Sequence, residues 1–348
     1  MKRTAALCVA ASALAAAALA ADQARNTDEI LARARQALGG ERLAAVRALK
    51  AEGRVLRAAP NGTSMESEFE LLLELPDKYL MRSVLAAMGN MSVYRLTGFN
   101  GGQAIEEIDR PPNLAGGNVI IRIQGPGGSA ADPAKMTDEQ KAEFNQRRVL
   151  ANKTEFARLA LGIFAASPAA FPLTFADGGQ AEAPDGKADV LDVTGDGGFA
   201  AKLFIDARTR LPLMLSWMDR EPLVMQMGPG GAMASGGGGM AMTTITRSGP
   251  PPGAQGGAAG GRTGGPGTLS PDEREKMMQD LEARRKEAEA KLRTVEYRIF
   301  YGGYKSVGGV QLPHRIQRSI DGKPAEEMIV ESFKVNPKLD AKTFQASK

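Results

Sequence analysis

The chain has 348 residues, enough for one large or two ordinary domains. Its 44 Lys and Arg against 40 Asp and Glu leave a formal charge of +4. Scattered basic residues at so small an excess argue against a nucleic-acid partner. One cysteine, Cys8, excludes a disulfide within the chain.

The first twenty residues, MKRTAALCVAASALAAAALA, have a basic start, an apolar Ala/Leu run and an A-x-A site at Ala18-Leu19-Ala20. That pattern predicts a secretory signal peptide over residues 1–21, cleaved after Ala20 or Ala21. Leu7 precedes Cys8 where a lipobox wants a small residue, so lipid anchoring is not expected. Cleavage removes the only cysteine, leaving packing alone to hold an exported chain. No later stretch is long and apolar enough to span a bilayer.

Asn26-Thr27-Asp28-Glu29 opens a helix, with Asn26 as its expected cap. Ile30, Leu31, Ala34, Ala37 and Leu38 form its apolar stripe, and Gly39-Gly40 ends it. A strand follows around Leu49 to Arg57. The next stretch, SMESEFELLLELPDKYLMRSVL, has the cleanest alternation in the chain. Met65, Ser67, Phe69, Leu71, Leu73 and Leu75 share one face, and Glu66, Glu68, Glu70, Leu72 and Glu74 the other. A period of two with one wet face predicts an antiparallel strand. Pro76-Asp77-Lys78 turns it into Tyr79 to Leu85, and Met91 to Thr97 adds another strand.

Thr137-Asp138-Glu139-Gln140 is a capping box. The helix it opens is polar at first and then places Phe156, Leu159, Ala160, Ile163 and Phe164 on one face, as a packing helix or a lid. Strands return at Leu173 to Phe175 and Val190 to Val193. Lys202 to Met218, KLFIDARTRLPLMLSWM, reads as a hairpin turned at Asp206 and Thr209, with Leu211, Leu213, Leu215 and Trp217 on one face. Asp192, Thr194 and Asp196 faintly echo a calcium loop but lack its bidentate Glu.

Gln226 to Thr268 holds 16 Gly among 43 residues, a composition that predicts disorder. Ser270 to Arg293, with seven acids and seven bases, predicts a solvated charged helix with coiled-coil character. Sheet patterning resumes at Val295, Tyr297, Ile299 and Tyr301, and turns at Gly308-Gly309 and Asp321-Gly322 lead to the closing NPKLDAKTF.

Catalytic signatures are sparse. His314 is the only histidine, and there is no HExxH, no second Cys and no G-x-S-x-G. Ser64 and Ser67 have no base nearby in sequence, and Glu106-Glu107 fits a solvated turn better than a glycosidase pair. Gly125, Gly127 and Gly128 do not follow a dinucleotide-binding spacing. Met225, Met227, Met233, Met240 and Met242 are soft ligands, but in biased sequence they read as linker. The expectation is no enzyme, no cofactor and no metal.

The order of these elements resembles a known family. A signal peptide, a helix ending ALGG, a run of strands, the FIDARTRLP hairpin, YGGYKSVGGVQLPHRI and FKVNPKLDAKTF together resemble the LolA/LolB-like superfamily, the periplasmic outer-membrane lipoprotein carriers and their relatives. The resemblance covers most of residues 26–110, 170–222 and 294–344. It implies an α+β fold: a strongly curved antiparallel sheet, an incomplete β-barrel, wrapped around helices. The expected organisation is one domain over 22–348, with a helical insertion at 111–168 and a Gly/Met-rich plus charged insertion at 224–293.

The resemblance implies a periplasmic, non-enzymatic protein. Its apolar concave groove would hold a lipid or a lipoprotein acyl chain. Residues expected to line such a groove are Val55, Phe69, Leu71, Leu73, Met81, Leu213, Leu215 and Trp217, each of which also suits plain core. The other expectation is an envelope sensor or interaction module binding a partner protein through residues 226–293.

Overall fold

The computed structural model describes residues 26–58, 64–88, 91–109, 119–124, 136–183, 186–221, 242–247, 279, 283, 287 and 290–345. The signal-peptide stretch and most of 224–293 lie outside the described residues. Three α-helices, two short 3-10 helices (Asp196–Gly198 and Ala341–Phe344) and fourteen strands are described. The α-helices are α1 (residues 26–38), α2 (Glu41–Ala44) and α3 (Asp138–Phe164). The strands begin with β1 (Ala48–Ala58), β2 (Ser64–Glu74), β3 (Lys78–Met88), β4 (Met91–Asn100), β5 (Gln103–Asp109) and β6 (Val119–Gln124). After α3 come β7 (Leu173–Ala183), β8 (Gly186–Gly195), β9 (Phe199–Asp206), β10 (Pro212–Arg220) and β11 (Met242–Arg247). The last are β12 (Thr294–Val307), β13 (Val310–Ile320) and β14 (Lys323–Val335).

Twelve strands form one antiparallel sheet in the order β5-β4-β3-β2-β1-β14-β13-β12-β10-β9-β8-β7. The sheet is not closed: β5 and β7 are its edges. Its centre is the pairing of β1 with β14, Leu49 opposite Val335 and Arg57 opposite Glu326. Register shifts at Glu52/Gly53, Val84/Ala86, Asp177/Gln180, Pro212/Met214 and Arg318/Ser319 add local twist. The result is the open, helix-filled α+β architecture that the family resemblance implies.

Local chemistry explains the elements. In β2, Phe69, Leu71 and Leu73 are buried on one face, as the alternation predicts. On the opposite face Glu70 pairs with Lys50, and Glu66 with Arg54 at 2.8 Å. In α1 the stripe Ile30, Leu31, Ala34 and Leu38 is buried. Gly39 ends that helix at φ 137, where a side chain would press on the Gly309 carbonyl of the β12–β13 turn. Asn26 lies inside α1 rather than ahead of it, and its amide donates to Asp177 Oδ2 at 2.6 Å. The capping box of α3 forms as read: Gln140 N donates to Thr137 Oγ1, and Thr137 N to Gln140 Oε1. At the β9–β10 turn, Asp206 Oδ1 accepts from the amides of Arg208 and Thr209. Those bonds, the Thr209 amide foremost, hold the Asp206 carboxyl below its usual range.

One finding departs from the expected organisation. Met242–Arg247 falls inside the stretch whose composition predicts disorder, yet its backbone pairs antiparallel with β6. Four of its six residues, Thr243, Thr244, Ile245 and Thr246, are β-branched and favour extended chain. The described residues of the charged stretch, 279, 283, 287 and 290, are helical, in line with the charged helix read there.

One large core lies between the inner face of the sheet, α1 and the second half of α3. A smaller cluster on the outer face packs Leu72, Leu80 and Ile105 around Phe344. Asn100 there donates to the Phe344 carbonyl at 3.1 Å. Asn336, at φ 52, ties the end of β14 to the entry of β1. Its Oδ1 accepts from Arg47 N, and its Nδ2 donates to the Ala45 carbonyl.

Candidate functional site

The inner face of the sheet is the candidate site. Cross-strand register builds its floor: Leu73 sits opposite Leu49, Leu71 opposite Ala51 and Met81, Phe69 opposite Gly53, and Val55 opposite Ser67. On the other wing Leu215 faces Ile299 and Trp217 faces Tyr297. Val55, Phe69, Leu71, Leu73, Leu215 and Trp217 are buried in one continuous cluster, with Met81 packed against it. Seven of the eight residues expected to line a groove are therefore brought together.

Leu213 is the exception and a correction to the expected alternation. It is the extra residue at the Pro212/Met214 register shift and is 44 % exposed. A bulge moves one side chain out of phase with its neighbours, so Leu213 leaves the face that Leu215 and Trp217 keep.

Helix α3 covers this floor. Its apolar face buries Phe156, Ala157, Ala160, Leu161 and Ile163. Phe156 packs edge-on against Phe99 at 5.6 Å and tilts against Tyr79 at 5.7 Å. Gly162 lets the helix press on the Tyr301 ring, where any side chain would collide. Tyr301 and Tyr304 donate their hydroxyls to the carbonyls of Arg158 (2.6 Å) and Gly162 (3.2 Å). Burial pushes both phenols up from their usual pKa.

The first half of α3 is held differently. Asn145 accepts from Ala104 N and donates to the Gly102 carbonyl, Asn152 donates to the Gly98 carbonyl at 2.6 Å, and Arg148 pairs with Glu106 at 3.1 Å. Leu150 lies against Gly197 in the β8–β9 turn. The helix thus bridges the two wings of the open sheet.

A charged cluster sits where α3 crosses β10, β12 and β13. Glu155 accepts from Arg158 at 2.5 Å on its own helix and from Arg318 at 2.7 Å on β13. Burial works against the Glu155 carboxylate, but the two guanidinium groups outweigh it and hold its pKa at about 2. The Arg158 guanidinium carbon lies 4.1 Å from the Trp217 ring centre, and the Tyr297 ring stacks on Trp217 at 5.3 Å and 18°. Burial and the nearby Asp219 charge push the Tyr297 phenol up to about 12. Its hydroxyl donates to the Arg220 carbonyl. A second ion pair on the inner face joins Arg57 to Glu326 at 2.8 Å.

Sequence reading missed Glu155, Arg158 and Arg318. Glu155 and Arg158 are visible as an i,i+3 pair on a helix, but nothing local links them to a strand residue 163 positions away from Glu155. His314 is buried, with Nδ1 2.8 Å from the Val330 carbonyl and its ring edge-on to Phe333. That is a packing role. Among the described residues no group of three or more His, Cys, Asp or Glu is placed to hold a metal ion. Among them, too, no helix is long and apolar enough to cross a membrane.

No protein-family profile matches the sequence, and no curated protein sequence does. Solved structures do. The chain is similar to a LolA superfamily protein from Nitrosomonas europaea, at 9 % identity and a TM-score of 0.42, over 92 % of this chain and 97 % of that one. It is similar to a DUF1329 family protein from Desulfovibrio piger, at 7 % identity and a TM-score of 0.43, over 92 % and 97 % of the two chains. It is also similar to a domain described as an outer membrane lipoprotein-sorting protein from Vibrio parahaemolyticus, at 7 % identity and a TM-score of 0.38, over 90 % and 94 %. At such identities the likeness concerns the fold and says nothing of a ligand.

Proposed function

We propose that this protein is a non-enzymatic periplasmic binding protein. It holds the acyl chain of a lipid or lipoprotein between the inner face of its sheet and α3. One observation carries the reading. The apolar floor is bridged by a helix whose first half is attached to the β4–β5 wall by side-chain amides and an ion pair. Releasing that half breaks no strand pairing, and water can replace each bond it loses. Each bond contributes about 1 kcal/mol net. Ten methylenes entering the floor would return on the order of 8 kcal/mol. Against that return stand the released bonds, the buried Val149 of the first half and the apolar contacts of the second half that the chain displaces.

Val55, Phe69, Leu71, Leu73, Met81, Leu215 and Trp217 are the residues proposed to touch the chain. The resemblance of the motifs to periplasmic carriers and the A-x-A signal pattern support the compartment. The test is mass spectrometry of organic extracts from the mature protein, purified from the periplasm without detergent. A stoichiometric lipid or acylated peptide is expected, absent from Leu71→Glu protein that remains folded. Empty protein that also fails to take up a fluorescent fatty acid would sink the proposal.

A second reading, a module that binds an envelope partner, is favoured by a different observation. Leu213, Met218 and Phe300 are exposed apolar residues on β10 and β12, the strands that flank residues 221–293. Deleting 226–293 separates the two. Loss of a partner with lipid uptake intact supports the module; unchanged capture of envelope proteins removes it.

A further inference from the structure

We infer that the cluster where α3 crosses β10 and β13 is an anion subsite, built to take the carboxylate or phosphate head of an amphiphile whose tail lies on the apolar floor. The inference rests on the binding function proposed above and specifies the ligand's charge. Two guanidinium groups, Arg158 and Arg318, share the one carboxylate of Glu155. Arg318 also lies opposite Glu326 across β13 and β14, so among the described residues Arg158 is the guanidinium that depends on Glu155 alone for a carboxylate partner.

Hydrogen-bond donors are also left over. The Trp217 indole N–H and the Arg158 Nε are both buried and find no acceptor among the described residues. Trp217 is only 6 % exposed, so its N–H donor is desolvated. A buried donor without an acceptor is costly, and the two belong to side chains stacked 4.1 Å apart. Two donors without an acceptor beside the Arg158 guanidinium suit an oxygen anion, which guanidinium groups bind through paired N–H bonds.

Position fits the same ligand. Trp217 belongs to both the apolar floor and the cluster, so a head bound here leaves its tail against Leu215 and the rest of the floor. Glu155 keeps about a third of its side chain exposed (32 %), which opens the cluster to solvent on that side. An incoming anion would compete with the Glu155 carboxylate for the same guanidinium groups.

Trp217 is the only tryptophan in the chain and reports directly on the site. The experiment titrates the mature protein with laurate, dodecyl phosphate, dodecanol and inorganic phosphate, following tryptophan fluorescence and, independently, heat. Laurate and dodecyl phosphate are expected to bind at least tenfold more tightly than dodecanol and to change Trp217 emission. Inorganic phosphate is expected to bind far more weakly than dodecyl phosphate. Arg158→Gln should remove most of the preference for laurate over dodecanol.

Equal binding of laurate and dodecanol by the native protein would overturn the subsite and leave the hydrophobic function standing. Inorganic phosphate binding as tightly as dodecyl phosphate would overturn an amphiphile as the occupant. Failure of all twelve-carbon probes to bind would remove the binding function itself. The native comparison needs no variant, so a misfolded Arg158→Gln protein does not blunt the test.

Discussion

The two halves of α3 meet the same sheet through opposite chemistry. Residues 156–164 bury Phe156, Ala157, Ala160, Leu161 and Ile163, with Gly162 pressed on Tyr301. Residues 138–152 are mostly exposed and reach the β4–β5 wall through Asn145, Arg148 and Asn152. Removing an apolar contact leaves a cavity that water does not refill, whereas a broken amide bond is exchanged for one to water. One half is therefore an anchor and the other is releasable. Glu155 stands at the junction, bonded across to Arg318.

The sharpest way to break this contrast is at the anchor. Leu161→Ala should cost about 3 kcal/mol, read as a lowered urea midpoint with unchanged slope. A loss below about 1 kcal/mol would mean that the second half is not an anchor. At the junction, Glu155→Gln should cost about 2 kcal/mol near neutral pH, because it takes the shared carboxylate from two largely buried guanidinium groups. The sign with pH follows from the lowered pKa of about 2 against the usual 4.5. The stabilisation from the carboxylate is complete above about pH 5 and is lost as pH falls toward 2. Thermal melts of the two proteins should therefore converge across that window; a gap that stays constant to pH 2 would place the Glu155 effect in packing.

In the releasable half, Asn152→Ala should cost about 1 kcal/mol. It should also speed hydrogen exchange in residues 138–152 while leaving 156–164 protected. Uniform loss of protection along the whole helix would show that it moves as one piece. The smallest effect belongs to the bulge. Leu213→Ser should change stability by less than about 0.5 kcal/mol, since its side chain is exposed and out of phase with the floor. A core-sized loss there would restore Leu213 to the inner face.

What could be read from sequence was local. The Phe69-Leu71-Leu73 alternation, the Thr137 capping box and the Asp206 turn each lie within a few residues and carry their own stereochemical signal. The floor followed, because period two assigns faces once a strand is recognised. Leu213 escaped because a bulge breaks that period without an obvious residue signature in PLML. The Glu155–Arg318 contact escaped because it joins a helix to a strand far along the chain. The β6–β11 pair, between two stretches that look irregular by composition, escaped for the same reason.

The pairing of β1 with β14 has a consequence in time. Leu49 meets Val335 at the centre of the sheet, so a strand from far along the chain completes the middle of the structure rather than its edge. As the chain emerges, β1 to β5 can pair with one another, but the other edge of β1 stays unpaired until β14 arrives. Contacts of such long sequence separation form slowly. A polypeptide arranged this way stays open until the β13–β14 hairpin slots between the two wings.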